Sequence, residues 1–128
     1  MATILVIDDE PGIRDLLDTL LTRKGFDVVL ADGGHKGLEI FRRARPDAVV
    51  LDLKMPGMDG LMVLQEIRLL NPTQPVIILT GAGSPQSEQQ IRALGVTEYV
   101  EKQFSLHLLG DALKRTLLHA TPFDGLTR

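Results

Sequence analysis

The sequence predicts an α/β fold in which helices cover both faces of one open, doubly wound parallel sheet. Five short apolar runs alternate along the chain with stretches of helical periodicity. Three of these runs are continuously apolar rather than alternating, as is typical of parallel strands that are buried on both faces. Five strand–helix units are too few for a closed barrel, which needs eight.

The predicted strands are the apolar runs themselves, and the last run is the weakest. In chain order they are Ile4–Ile7, Val28–Ala31, Ala48–Leu53, Val76–Leu79 and Glu98–Val100. In an open sheet of this class the functional crevice lies beyond the carboxyl ends of the strands. The residues that follow each run are therefore the first candidates for chemistry.

The first two helices are delimited by proline and glycine. Apolar residues of the first helix form one stripe, at positions 13, 16, 17, 20 and 21. Pro11 suits its first turn and Gly25 its C-terminal end. The second helix is expected from about Gly34 to Ala44, because the residue before Pro46 disfavours helical geometry.

The other three helices follow the same reasoning. The third has its apolar stripe over Leu61–Leu70 and closes before Pro72. The fourth opens with Ser84 as the predicted N-cap and Pro85 as its first residue. The fifth has its stripe over Leu109–Leu117. The alternation of strand and helix therefore continues nearly to the end of the chain.

Length and composition favour one cytoplasmic domain. The 128 residues are 44% hydrophobic, enough for a core, and 24% charged, which is typical of a globular protein. We expect a domain over residues 1–119 and a polar tail or the start of a linker over residues 120–128. No basic and apolar leader is present, and no apolar run approaches the ~20 residues of a membrane span. The absence of cysteine excludes disulfides, thiolate nucleophiles and cysteine-based zinc sites.

The charge of the chain gives no general reason for it to bind nucleic acid or a membrane surface. The formal net charge is −3. The densest basic patch is Arg42, Arg43 and Arg45, which we interpret as the solvated end of a helix. We therefore expect neither nucleic acid nor a membrane as a direct partner.

Charged or hydroxyl side chains stand at the carboxyl ends of four predicted strands. They are Asp8, Asp9, Asp52, Thr80 and Lys102. Carboxylates that converge from neighbouring strands raise one another's pKa unless a cation lies between them. Oxygen ligands with open water positions suit Mg²⁺, and a hydroxyl with an ammonium suits phosphoryl oxygens. The crevice is therefore predicted to hold a carboxylate that becomes phosphorylated.

Each of these residues also has a structural interpretation. The acidic run of residues 8–10 could simply cap the first helix. Asp59 and Gly60 are interpreted as a turn or a cap rather than as chemistry. A single threonine or lysine after a strand is usually structural or solvated. The functional interpretation depends on the coincidence of these residues at four strand ends.

Four segments carry a family resemblance. They are IDDE (7–10), LDLKMPGMDG (51–60), LTGAG (79–83) and ALGVTEYVEKQF (93–104). Together they resemble the receiver domain of bacterial two-component response regulators, in the manner of the chemotaxis regulators. The resemblance covers Thr3 to His119 and implies a flavodoxin-like (βα)5 topology with strand order 2-1-3-4-5.

The resemblance also implies the chemistry of the crevice. Asp52 would accept a phosphoryl group from a phosphohistidine on a sensor histidine kinase or a phosphotransfer protein. Asp9, Asp52 and the main-chain carbonyl of Lys54 would bind Mg²⁺ or Mn²⁺ directly, and Asp8 would act through water. The chain would be a switch rather than an enzyme, because it would catalyse only its own phosphorylation and dephosphorylation.

Other residues would respond to the phosphoryl group or control its lifetime. Thr80 and Lys102 would contact it, and Tyr99 would change rotamer as Thr80 moves. Lys54 and Ala82 would flank the path of the attacking water and so tune the rate of dephosphorylation. The change would reach an output face formed by the fourth helix, fifth strand and fifth helix. That face would meet an unknown output domain or partner protein, and a homodimer through it is a further arrangement.

The main alternative is a receiver-like interaction module that acts independently of phosphorylation. Retention of the whole set of strand-end residues argues against it. A haloacid-dehalogenase-type phosphatase would need a second aspartate two residues after Asp52, where this chain has Lys54. A flavodoxin would need a phosphate-binding loop after the first strand, where this chain has DDEPG.

The chain departs from the family after Lys102, where Gln103 replaces the usual proline. A cis peptide before a residue other than proline costs roughly 2.5–4 kcal/mol, so we expect a trans bond. A trans bond would leave the ammonium of Lys102 farther from Asp52 before phosphorylation.

Overall fold

The computed structural model describes residues 1–81, 85–96, 98–102 and 106–120, with the backbone alone at positions 80, 85–87, 101, 119 and 120. Strands and helices alternate along the chain. The strands are β1 (Thr3–Ile7), β2 (Asp27–Ala31), β3 (Ala48–Asp52), β4 (Val76–Thr80) and β5 (Glu98–Glu101). The helices are α1 (Pro11–Arg23), α2 (Gly34–Ala44), α3 (Gly60–Leu70), α4 (Pro85–Ala93) and α5 (Leu109–Ala120), and a 3₁₀ turn at Leu106–Leu108 precedes α5.

The five strands form one parallel sheet in the order β2-β1-β3-β4-β5. The predicted doubly wound α/β fold and its strand order are therefore confirmed. The predicted bounds of the second helix agree with those of α2, whereas β3 ends one residue earlier than predicted and β5 one residue later. Among the described residues, no helix combines the length and the apolar character that a membrane crossing needs.

Two apolar layers hold the sheet between the helices. One layer packs α2, α3 and α4 against one face, and the other packs α1 and α5 against the opposite face. All five residues of β3 are buried, because neighbouring strands and helices cover this central strand on every side. Asp52 closes this strand, so the fold itself takes its carboxylate out of bulk water.

The N-terminal ends of the helices show which acidic side chains serve as caps and which do not. Asp59 is the N-cap of α3, and its carboxylate accepts a hydrogen bond of 3.0 Å from the main-chain nitrogen of Met62. The interpretation of Asp59 as a cap is confirmed. Glu10 is the N-cap residue of α1 but makes no capping hydrogen bond with its side chain. The predicted N-cap Ser84 lies outside the described residues.

Gly60 allows α3 to begin against the end of β3. Its main-chain nitrogen donates to the carbonyl of Leu53 at 2.8 Å. A Cβ atom here would lie 2.5 Å from the carbonyl oxygen of Asp52 and 2.6 Å from the Cα of Leu53. Both neighbours are backbone, so neither can rotate away.

We expect Gly60→Ala to lower the free energy of unfolding by about 2 kcal/mol or more, because the clash must displace backbone. Gly12→Ala is the matched control, since a Cβ there meets nothing within 4 Å and alanine favours the helix. Urea denaturation of both variants checks the prediction. Equal stability of the Gly60 variant and the wild type would show that the backbone after β3 can shift without a cost in free energy.

Candidate functional site

The parallel pairing of the strands brings their carboxyl ends together at one end of the sheet. Asp8 follows β1 directly, and Asp52 ends the neighbouring strand β3, with Ile7 opposite Leu51 in the ladder. Lys102 follows β5 directly. Parallel strands present their carboxyl ends to the same side, so these three side chains share the crevice at that end.

Four acidic side chains crowd into this crevice. Asp8, Asp9, Glu10 and Asp52 can each place one carboxylate oxygen within 4.8 Å of the others. Asp8 is fully buried and Asp52 is 3% exposed, whereas Glu10 is exposed. A cluster of this charge is stable only with positive charge beside it.

The ammonium of Lys102 supplies part of that charge. Its Nζ lies 3.0 Å from Oδ2 of Asp8, 3.0 Å from Oδ2 of Asp52 and 2.6 Å from Oε1 of Glu10. The larger distance expected of Lys102 is therefore not observed. The ammonium joins the ends of β1, β3 and β5 before any phosphoryl group is present.

Main-chain groups fix the two buried carboxylates. Oδ1 of Asp8 accepts from the nitrogen of Glu10 at 2.9 Å, and Oδ1 of Asp52 accepts from the nitrogen of Lys54 at 3.2 Å. Oδ2 of Asp8 contacts the ammonium of Lys102 but lacks a well-aligned hydrogen bond. A buried carboxylate oxygen with a free lone pair is suited to a cation or to a water molecule that a cation holds.

The donor set fits a hard divalent cation. All the charged ligand atoms are carboxylate oxygens, and the described residues add no sulfur or imidazole to the cluster. One ammonium contacts three of the four carboxylates, which leaves the cluster with an excess of negative charge. Carboxylates with room for water suit Mg²⁺ or Mn²⁺ rather than a softer metal.

Burial perturbs the titration of the central pair. The pKa of Asp52 is raised to about 6, chiefly by burial and also by the charge of Asp8, although Lys102 and the main chain of Lys54 oppose the shift. Burial alone would lower the pKa of Lys102, but its close contacts with the carboxylates of Glu10, Asp52 and Asp8 outweigh that effect, so the pKa lies above its ordinary value. The ammonium is therefore charged at neutral pH.

The raised pKa of Asp52 has a consequence for stability in the metal-free protein. A carboxyl that binds protons more tightly in the folded state stabilises that state below its ordinary pKa of 3.8 and loses this contribution as the pH rises through about 6. We expect Asp52→Asn, which cannot ionise, to unfold with a free energy about 1–3 kcal/mol above wild type at neutral pH.

Denaturation in EDTA between pH 4.5 and 7.5 measures this difference. It should grow as the pH rises towards 6 and stay constant above it. A difference that is independent of pH would mean that Asp52 ionises as easily in the fold as in water.

Three of the predicted site residues are described only in part or not at all. Thr80 ends β4 opposite Glu101 of β5, and its backbone alone is described. Ala82 lies outside the described residues, and so does Gln103, with the peptide bond that precedes it. The expectations for these residues stay predictions.

Tyr99 lies on β5, where two residues of α4 hold its ring. Its hydroxyl donates to the main-chain carbonyl of Glu88 at 3.2 Å, and the guanidinium of Arg92 lies 4.4 Å from the ring centroid. Arg92 also pairs with the carboxylate of Glu88 at 3.7 Å. Tyr99 therefore connects β5 to α4.

Sequence reasoning missed two residues at this site. Glu10 was treated only as part of the acidic run, yet its carboxylate makes the shortest contact with Lys102. Arg14 donates from Nη1 to the main-chain carbonyl of Asp8 at 2.8 Å and so braces the end of β1. Its spacing of four residues from Glu10 places it one turn into α1, which is the signal that could have found it.

Comparisons with known proteins agree with this geometry. The model of the response regulator receiver domain matches residues 4–114. Sporulation initiation phosphotransferase F of Bacillus subtilis is 36% identical over 114 residues, which cover 89% of this chain and 92% of that protein. Response regulator MprA of Mycolicibacterium vanbaalenii is 36% identical over 122 residues, which cover 95% of this chain. The match spans 53% of the length of MprA, so this chain corresponds to about half of that relative.

Solved structures lead to the same family. A response regulator receiver domain protein from Clostridium thermocellum superposes with a TM-score of 0.87 at 35% identity, over 93% of this chain and 96% of that one. The acidic crevice, the strand order and the family match over nearly the whole sequence agree. The chain belongs to the family of response regulator receiver domains.

Proposed function

We propose that the chain is a phosphoacceptor switch in which Asp52 takes a phosphoryl group from a phosphohistidine. The donor would be a sensor histidine kinase or a phosphotransfer protein. The observation that carries the proposal is the buried carboxylate of Asp52, 3.0 Å from an ammonium and surrounded by further acids. A carboxylate in this setting is a nucleophile with positive charge already beside it.

The proposed step exchanges one bond to phosphorus for another. Oδ2 of Asp52 attacks phosphorus, the bond from phosphorus to the histidine nitrogen breaks, and the imidazole leaves. Lys102 moves from the carboxylates to the phosphoryl oxygens, where its charge offsets theirs. The hydrogen bond from the nitrogen of Lys54 keeps the other oxygen of Asp52 in place.

A divalent cation would share this crevice. Asp9, Asp52 and the main-chain carbonyl of Lys54 would hold it, and Asp8 would act through water. Bound Mg²⁺ supplies a second positive charge beside the phosphoryl oxygens. The support for this ligand set is the acidic cluster together with the free lone pair of Asp8.

The output side of the proposal rests on Thr80 and Tyr99. Thr80 would turn towards the phosphoryl group, and Tyr99 would then leave its contacts with Glu88 and Arg92 for the space that Thr80 vacates. The cost of leaving is small, because one hydrogen bond and one exposed cation–π contact are each worth about 1 kcal/mol. A local charge change would thereby bias the face formed by α4, β5 and α5.

Intact-mass measurement with acetyl phosphate tests the proposal. With Mg²⁺ the protein should gain the mass of one phosphoryl group, and with EDTA it should gain none. The alternative of an interaction module that acts without phosphorylation predicts no gain under either condition. A gain that is equally large in EDTA would contradict the dependence on a divalent cation.

Lys54 and Ala82 are proposed to set the lifetime of the phosphoryl group. The side chain of Lys54 is exposed beside Asp52 and long enough to cover it, whereas alanine at position 82 can neither orient nor block a water molecule. We expect Lys54→Ala to speed dephosphorylation a few-fold by opening the path of water. Phosphate release after removal of the donor measures the rate.

Lys36→Ala is the control, because Lys36 lies exposed on α2 and pairs with Glu39 there. An unchanged rate in the Lys54 variant would remove it from the site. A Lys36 variant that is faster by the same factor would mean that net charge, rather than cover, sets the rate.

The setting of the switch follows from the same proposal. The receiver would occupy residues 1–119 and act in the cytoplasm, with residues 120–128 as a tail or linker. It would catalyse only its own phosphorylation and dephosphorylation. Its output would pass to a further domain or a partner protein, or to a second copy through the face of α4, β5 and α5, without direct contact with nucleic acid or a membrane.

A further inference from the structure

A second concave surface lies at the end of the sheet where the strands begin, opposite to the end that carries Asp52. It is a groove of about 460 Å³ between the C-terminal ends of α2 and α3 and the loops that lead into β3 and β4. Phe41 and Leu70 contribute apolar lining, and Arg42 and Arg45 contribute positive charge. None of these residues takes part in the acidic crevice.

The base of this groove is rigid. Gln74, 4% exposed, donates from Nε2 to the carbonyls of Pro46 and Pro75, both at 3.3 Å, and accepts from the amide of Asn71 at 3.2 Å. Arg68 donates to the carbonyl of Asn71 at 3.3 Å. A base whose polar groups are already bonded does not collapse into the groove, so the concavity is a fixed feature of the fold.

The guanidinium groups of the arginines at the groove have no acidic partner in the part of the chain that the structure describes. Within the described ranges, no carboxylate lies at ion-pair distance from Arg42, Arg43 or Arg45, although Arg92 and Arg115 pair with acids elsewhere. This local excess of positive charge stands on a chain of net charge −3. The guanidinium groups of Arg42 and Arg45 are therefore available to an anionic partner.

Arg45 stands at a backbone position that usually takes glycine. It is the C-cap of α2 in the left-handed region, with φ 47° and ψ 63°. An arginine at this position places its guanidinium at the groove, although the left-handed backbone conformation is less favourable for arginine than for glycine. The C-cap requirement therefore accounts for the backbone conformation but not for the choice of this side chain.

The groove also exposes apolar surface. Leu70, which lines the groove, is 48% exposed. An exposed leucine beside two arginines that have no acidic partner among the described residues matches a partner segment that presents an apolar side chain between acidic ones. A duplex nucleic acid fits less well, because it needs an extended basic face and makes little use of leucine.

We propose that this groove docks an acidic segment of a partner protein, with one apolar side chain of that segment against Leu70 and its carboxylates on Arg42 and Arg45. The site lies outside the acidic crevice. Its occupation therefore does not require phosphorylation of Asp52.

Titration of the ¹⁵N-labelled full chain tests this proposal. The probe is a blocked peptide with glutamates on both sides of one leucine, and a second peptide with lysines in place of the glutamates is the charge control. The glutamate peptide should give saturable shifts confined to residues 41–46 and 69–74. These shifts should weaken as salt is added.

Three arginine variants locate the contact. Arg42→Ala and Arg45→Gly should each weaken binding of the glutamate peptide about threefold, as expected for one exposed charge pair. Arg43→Ala removes the same charge next to the groove without lining it, and it should leave the affinity unchanged. Arg45→Gly should not lower the thermal midpoint, because glycine suits that backbone conformation.

Several outcomes would overturn the proposal. One is the absence of saturable shifts in the groove, and another is equal weakening by all three variants, which would indicate diffuse attraction. Binding of a DNA duplex at these residues without binding of the peptide would assign the groove to nucleic acid instead.

Discussion

Asp52→Asn is expected to abolish phosphorylation by acetyl phosphate in the presence of Mg²⁺, with no phosphorylated protein detected by intact mass. Asparagine has nearly the shape of aspartate but lacks the charged oxygen that would attack phosphorus. It also removes one charge from a crowded acidic cluster, so the fold should persist. A circular dichroism spectrum equal to that of the wild type separates lost chemistry from lost structure.

Asp59→Asn is the matched control for this variant. Asp59 is an acid of the same loop, but it serves as the N-cap of α3, a position at which asparagine works as well as aspartate. Its phosphorylation should equal that of the wild type. Phosphorylation of the Asp52 variant to the same extent would mean that another carboxylate is the acceptor.

Asp9→Ala is expected to weaken binding of Mg²⁺ at least about tenfold, because Mg²⁺ takes only one or two carboxylates from a protein and depends on each. We expect binding because four carboxylates surround the single ammonium of Lys102, which leaves an excess of negative charge. The chain has no tryptophan, so calorimetry is the suitable measurement. The same variant should slow phosphorylation by acetyl phosphate.

Asp27→Ala removes an equal charge from an exposed position at the start of β2, at the end of the sheet that lies opposite to the acidic crevice. Its affinity for Mg²⁺ should not change. An equal loss in both variants would show that net charge attracts the ion, and an unchanged affinity in the Asp9 variant would remove Asp9 from the ligand set.

The main features of the fold follow from local pattern. Continuous apolar runs predicted β1, β3 and β4, and proline and glycine marked the ends of α1 and α2. The same reasoning placed Asp8 and Asp52 at one edge, because it needs only the rule that parallel strands end on the same side. The positions of the strand ends along the sequence are therefore enough to predict that these two carboxylates lie close together.

The contacts that reach across the chain could not be predicted in this way. Glu10 and Lys102 are 92 residues apart, and their distance of 2.6 Å depends on where the end of β5 lies relative to α1. The close approach of Gly60 to the backbone of Asp52 is also a result of packing, although the turn itself was recognised. Local propensity gives no distance between such elements.

The surroundings of the basic cluster could not be predicted from the sequence either. Arg42 and Arg45 were interpreted as the solvated end of a helix, and they are exposed. Their position beside Leu70 depends on the packing of α2 against α3, and it turns a charged helix end into one wall of a groove. Sequence spacing alone does not distinguish a solvated helix end from a wall of this kind.

The most direct test of the central claim is to locate the phosphoryl group itself. Borohydride reduces an aspartyl phosphate to homoserine, which marks the acceptor permanently. Trypsin separates the candidates, because Asp52 falls in the peptide of residues 44–54, Asp8 and Asp9 precede Arg14, and Asp59 follows Lys54. Fragment ions distinguish Asp52 from Asp47 within that peptide. We predict homoserine at position 52 after treatment with acetyl phosphate and Mg²⁺, and none in EDTA; homoserine at any other aspartate, or at none, would contradict the account.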